Sequence, residues 1–266
     1  MMVNMEYNDG TEDIRRLAPA LGAPAQDSPP GTVGQIDITS ARVRDHSAYH
    51  VIMSHPPLPP VTAADLRSIV DAVLSHEVPP IVRAGHPVLR TPALPFAGQL
   101  DDAVLGLLLT TMRRVMHAAP GVGLAAPQIG IPLRIAVLED KGVGDDDVAA
   151  LRARTPLPFL AIINPRYAAG GTATAAFYEG CLSVPGYQAV VERHSEVDLT
   201  YTRSDGRSVT KRFSGWPARI VQHETDHLDG ILYLDKAMSR SLADNSEHAR
   251  RWAQPGIDAA RLALGF

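Results

Sequence analysis

The pentad His223-Glu224-Thr225-Asp226-His227 restricts what this chain can fold into more than any other stretch. Two histidines four residues apart share one face only on a helix. There both imidazoles can grip one cation, while the glutamate between them projects alongside, close enough to take a proton without being a ligand. The preceding run Ala218-Arg219-Ile220-Val221-Gln222 puts apolar residues on the same helix and implies that it is buried. Pro217 falls in the first turn, where a missing N–H costs nothing. The expected element is a buried helix over 218–228, and the rest of the fold has to enclose it.

Two histidines do not complete a metal site; a third protein ligand is needed, leaving one position open for water. Three candidates compete. The metzincin pattern needs a third histidine, and although Gly230 fits that pattern, its last position here is Tyr233. Glu247 stands 20 residues beyond His227, where thermolysin-like proteases take a carboxylate ligand. The chain's single cysteine, Cys181, lies in Glu179-Gly180-Cys181-Leu182-Ser183. Thiolate with imidazole suits several metals, zinc foremost on residue type alone. Read from residues, Cys181 and Glu247 both stay open.

One cysteine allows no intramolecular disulfide, which points to a reducing compartment. A net charge of −4 excludes the broad basic surface that binds nucleic acid non-specifically. The longest apolar run, 103–109, falls well short of the roughly 18 residues that span a bilayer. Glu6, Asp9, Glu12 and Asp13 make the N-terminus unlike a signal or transit peptide. A cytoplasmic protein is expected.

Residues 1–60 are rich in proline and small residues, as in 23–31 and 55–60, and bury too little surface to offset ordering entropy. They are expected to be a flexible extension, within which Met53 offers an internal start. Thr62 and Asp65 form a capping-box pattern ahead of Leu66, Ile69, Val70, Val73 and Leu74. This predicts a helix over 62–77 packed on a catalytic domain spanning 61–240, followed by a helical tail over 241–266. A second amphipathic helix is expected over 99–118, ended by Pro120-Gly121. Strands are expected at 133–138, 160–163, 187–191, 197–202 and 208–213, the last two joined by the turn Ser204-Asp205-Gly206-Arg207. Residues 140–158, with Asp145-Asp146-Asp147, read as a solvated insertion. The pattern is α+β: mostly antiparallel strands packed around a central metal-binding helix, with additional N- and C-terminal helices.

Three motifs stand in order: Gly121-Val122-Gly123-Leu124-Ala125-Ala126-Pro127-Gln128, then Glu179 to Ser183, then Gln222-His223-Glu224-Thr225-Asp226-His227-Leu228. Together they resemble the bacterial peptide deformylases, from about Ile81 to Leu234, with Gly85-His86-Pro87-Val88-Leu89-Arg90 and Ile163-Asn164-Pro165 inside the resemblance. The resemblance implies a metal-dependent hydrolase that removes the formyl group from the N-terminal methionine of nascent polypeptides. It implies that Cys181, His223 and His227 hold one ion per chain, Fe2+, with Ni2+, Co2+ or Zn2+ able to substitute. Glu224 would move the proton, while the Gln128 side chain and the Leu182 amide would meet charge developing on the formyl oxygen. The substrate would pair with Val122, Gly123, Gly180 and Leu182, and its methionine side chain would enter a pocket lined by Val122, Glu179, Trp216 and Ile220. Arg193 matches a family position and would pair with Asp226. Thr225 replaces the family's larger apolar residue on the side away from the histidines, a packing adjustment. The implied partners are N-formylmethionyl peptides, met near the ribosome by a monomer with no membrane or nucleic-acid role. The rival enzyme, a zinc endopeptidase with Glu247 as third ligand, leaves the first two motifs unexplained. A structural zinc site normally closes with four protein ligands, and only one cysteine is present.

Overall fold

The computed structural model describes residues 62–142 and 144–266, so the expected extension over 1–60 and the start at Met53 lie outside the described residues. Helix α1, Ala63–Leu74, opens on a reciprocal cap. The Thr62 N–H donates to the Asp65 carboxylate at 3.0 Å, and the Asp65 N–H donates to the Thr62 hydroxyl at 3.2 Å. Leu66, Val70 and Val73 form its buried stripe. Helix α2, Asp102–Ala118, starts later than periodicity suggested because Asp101 caps it, accepting from the Val104 N–H at 2.9 Å.

Eight strands follow from these boundaries: β1 Gly123–Ala125, β2 Ile135–Asp140, β3 Leu157–Ala169, β4 Thr174–Cys181, β5 Val184–His194, β6 Glu196–Thr202, β7 Ser208–Ser214 and β8 Ala243–Asp244. They build an antiparallel five-stranded sheet, in the order β1-β2-β3-β6-β7, and a three-stranded sheet, β4-β5-β8. The remaining helices are α3 Asp146–Leu151, α4 Gly215–Leu228, α5 Asn245–Arg251 and α6 Asp258–Leu264. Helix α4 packs against strands of both sheets, and its Ala218, Ile220, Val221 and Leu228 share one core with Ala136, Leu138 and Leu199. The fold is α+β around a central helix, as the pattern implied.

The differences have local causes. Strand β3 runs through Pro165, which a ladder tolerates only at an irregularity. The register shifts between Ile163 and Arg166, and Asn164 takes a positive φ of 50° there. Strands β1, β4 and β8 lie outside the expected set, β8 falling in the tail expected to be helical. Gly123-Leu124-Ala125 reads as a turn, and Thr174-Ala175-Ala176-Phe177 has no alternation; β4 owes its existence to pairing along β5.

The insertion expected over 140–158 is solvent-facing along 141–156, where no residue with a described side chain is buried, but its ends and its far side dock on the fold. Asp140 and Leu157 are buried, and Arg154 makes two hydrogen bonds to the Asp140 carboxylate at 2.8 and 3.0 Å. Just past α3, the Ala153 carbonyl accepts the Trp216 N–H at 3.1 Å. Gly215, at φ 62°, has no room for a side chain there, since a Cβ would overlap that carbonyl. Three consecutive aspartates masked a segment that docks on the start of α4. The C-terminal stretch is tied down as well: β8 pairs with β5, Asp244 caps α5, and Ile257 and Ala260 pack with Tyr178 and Val190. Among the described residues no helix is long and apolar enough to cross a membrane.

Candidate active site

Two elements deliver the central groups. Helix α4 carries His223 and His227, one turn apart, with ring centroids 5.0 Å from each other. Strand β4 carries Glu179 and Cys181, which as alternate residues face the same way. Its ladder shifts register between Gly180 and Cys181. One ligand atom each from Cys181, His223 and His227 falls within 4.8 Å of the others, and Cys181 Sγ lies 3.3 Å from His227 Nε2. Metal–sulfur and metal–nitrogen bonds of roughly 2.3 and 2.1 Å at tetrahedral angles put donors about 3.4–3.6 Å apart. The trio therefore fits a cation with one corner left open, and its donors suit a transition metal.

The surroundings orient these donors. His223 Nδ1 is 2.9 Å from Glu179 Oε2, which leaves the other ring nitrogen for a cation. Glu179 also accepts from Arg193 at 2.6 and 2.9 Å and from Arg219 at 2.6 Å. Burial alone would raise the Glu179 carboxyl, but the Arg193 charge and hydrogen bonds from His223 and Arg193 outweigh it and hold it well below the usual carboxylate range. Arg193 reaches on to Asp226 at 2.8 Å, so the expected pair exists and is buried. Asp226 is shared with Lys236 and the Tyr167 hydroxyl. Burial, with the charges of His223 and Arg193, pushes His227 well down and keeps its imidazole neutral. Burial opposes charge on His223 too, yet hydrogen bonds to Cys181 and Glu179 raise it to about 10 when no cation displaces the proton.

Glu224 is only 4% exposed, and its Oε2 has no hydrogen-bond partner among the described residues. Burial pushes its carboxyl up to about 7, the range in which a group both takes and returns protons near neutrality. The Gly-x-Gly turn makes this packing possible. A Cβ on Gly123 would overlap the Glu224 side chain, and one on Gly121 would come within 2.9 Å of the Leu182 side chain. Gln128 sits in the 3-10 turn Ala126–Ile129. Its Oε1 accepts the Ala125 N–H at 2.8 Å, which turns its amide donors toward Cys181 Sγ at 3.6 Å and Ser183 Oγ at 3.3 Å.

Trp216, Ile220, His223 and His227 recur at i, i+4, i+7 and i+11, hence on one face of α4. Val122 and Trp216 pack on the core cluster that contains Ile220. Gly180 lies opposite Gln188, next to Cys181 on β4. Thr225 is buried, in keeping with a packing position. Glu247 is not gathered with the two histidines: it lies on α5 with its carboxylate held by Arg250 and Arg251. Sequence reasoning missed Arg219, Lys236 and Tyr167. Arg219, four residues before His223, had helical spacing as a signal; Lys236 and Tyr167 had none.

A gathered cysteine and two histidines, with a buried carboxylate beside them on an α+β frame, define the class of a metal-dependent hydrolase. Residues 78–243 match the family described as Polypeptide deformylase. Peptide deformylase 3 of Streptomyces avermitilis is 57% identical over 187 residues, covering 70% of this chain and 84% of that protein. The class I type b peptide deformylase of Acinetobacter baumannii, crystallised with Met-Ala-Ser bound, aligns at a TM-score of 0.54 and 32% identity over 60% of this chain and 98% of that one. The Synechococcus elongatus peptide deformylase, in complex with actinonin, aligns at a TM-score of 0.53 and 33% identity over 62% and 84%. The chain belongs to the polypeptide deformylase family, metalloenzymes that hydrolyse the N-formyl group from nascent polypeptides.

The glycine packing yields a first expected result. Gly123→Ala should displace Glu224 and lower kcat for deformylation by more than about tenfold, since a 1 Å misplacement can cost about a hundredfold. Metal content should be unchanged. Formate release and metal analysis on one preparation check this.

Proposed function

We propose that Cys181, His223 and His227 hold one Fe2+, with Ni2+, Co2+ or Zn2+ able to substitute, and that this site converts N-formyl-L-methionyl peptides and water into formate and methionyl peptides. A cation held by these three side chains would supply Lewis acidity for the hydrolysis. Glu224 takes the proton from the attacking water and delivers it to the amine nitrogen as the C–N bond breaks. The Gln128 amide and the Leu182 N–H donate to the formyl oxygen as it gains charge; the tie from Gln128 Oε1 to Ala125 supports that orientation.

The substrate lies extended against Val122, Gly123, Gly180 and Leu182, added as a strand at the edge where β1 ends the five-stranded sheet. Its methionine side chain occupies a pocket bounded by Val122, Glu179, Trp216 and Ile220. The Glu179 carboxylate is consumed by Arg193, Arg219 and His223, so only its carbon stem is left to face an apolar group. The catalytic domain spans 61–240 and includes α1, which runs from Ala63 to Leu74 and not to 77 as its periodicity suggested, and 241–266 form its tail. The chain works as a cytoplasmic monomer close to the ribosome.

One observation carries this reading: a buried carboxylate, Glu224, whose Oε2 has no hydrogen-bond partner among the described residues, on the same helix as two of the three gathered donors. Protein purified without oxygen should release formate from formyl-Met-Ala-Ser in proportion to its iron content. It should lose activity in air as metal or thiolate oxidises, and leave internal peptide bonds uncut. Internal cleavage without formate release would overturn the reading in favour of an endopeptidase.

A further inference from the structure

We propose that Arg152 and Arg154, on the segment leaving α3, are positioning residues that clamp Trp216 and thereby set which first side chain the enzyme accepts. This rests on the reading that Trp216 bounds the methionine pocket. Trp216 lies seven residues before His223 on one helix face, about 10 Å along the axis. Whatever holds the indole decides how long and wide a side chain fits between it and the reacting centre.

The indole does not hold itself, because its Nε1 is buried with no partner among the described residues. Three guanidinium groups hold it instead: those of Arg152, Arg154 and Arg219 lie 5.3, 5.4 and 5.6 Å from its ring centre. Phe177 meets it edge-on at 6.0 Å. Arg219 belongs to the charged network around Glu179, but the other two are anchored independently. Arg154 is fixed by the Asp140 carboxylate, and Arg152 donates to the Pro255 carbonyl at 3.1 Å. Beside the clamp lies a cavity of about 310 Å³, lined by Arg152, Ala153, Phe177, Gly215 and Arg219. Arg152 and Arg219 both line this cavity and flank the indole, so loss of the clamp removes the side chains that stand between Trp216 and that space.

The test uses full-length, iron-loaded protein and formyl-Xaa-Ala-Ser peptides with Xaa as Met, norleucine or Phe. Two clamp variants are compared with wild type, with Arg152→Lys and Trp216→Ala as controls. Besides its contacts with the Trp216 and Phe177 rings, Arg152→Ala removes a single hydrogen bond, to the Pro255 carbonyl; Arg154→Ala is combined with Asp140→Asn so that no buried charge is orphaned. Relative kcat/KM for Phe over Met should rise about tenfold in each, through KM, while kcat for the Met peptide stays within about threefold; Arg152→Lys should restore much of the wild-type ratio. An unchanged ratio, or a uniform loss across all three peptides, would overturn the clamp. Trp216→Ala separates the two levels. If it shifts the ratio while the arginine variants do not, the clamp is wrong and the pocket stands. If it leaves the ratio unchanged, the pocket reading itself fails.

Discussion

Replacing Glu224 with Gln should leave fold and metal in place and lower turnover on formyl-Met-Ala-Ser by about 10³–10⁴-fold, the upper range for a general acid–base group. The amide matches the carboxylate in volume, so the packing against Gly123 is retained, and Oε2 has no partner to lose. A second consequence concerns pH. In the cation-free chain burial raises Glu224 from 4.5 to about 7. A carboxyl raised in the folded state contributes stability that is complete below about 4.5 and is lost as pH rises through about 7. Chelator-treated wild type should therefore lose more melting temperature between pH 5 and 8 than the Gln variant. Near wild-type turnover in the variant would remove Glu224 from the proton path, and equal pH slopes would show that its carboxyl is not held in the buried neutral form.

The second large effect decides the third ligand. Cys181→Ala should release most of the metal and lower activity by more than about a hundredfold, because a charged donor is lost and the cation opens to water. The fold should survive, with reduced stability because the cation no longer binds and favours the native state. Glu247→Ala should change neither metal nor rate, since that carboxylate is exposed and already held by Arg250 and Arg251. Metal analysis of both variants is the measurement. Metal lost from Glu247→Ala and retained with activity in Cys181→Ala would return the site to a protease-like ligand set.

The legible parts were those whose cause is local. The helical face shared by His223 and His227, the cap at Thr62 and Asp65 and the turn at Ser204–Arg207 each follow from spacing within a few residues. The third donor was not legible in that way. On residue type alone Cys181 and Glu247 both remained open, and only the resemblance carried by three ordered motifs separated them. Strand β4, which presents Cys181, has no periodicity of its own and forms by pairing along β5.

The charged groups behind the site show the same division. The pairing of Arg193 with Asp226 was anticipated by resemblance, but Glu179 as the meeting point of Arg193, Arg219 and His223 was not. Nor was the docking of Arg152 and Arg154 on Trp216, hidden inside a stretch that reads as solvent-facing. What the sequence determined by itself was the helix face shared by two histidines, the glutamate beside them and the α+β pattern, because helical and strand periods are properties of neighbouring residues. Tertiary structure alone decided which distant side chains complete that face. The partners of a buried charge are chosen by the proximity that folding creates and by the cost of leaving it unpaired, and neither is written in the spacing along the chain.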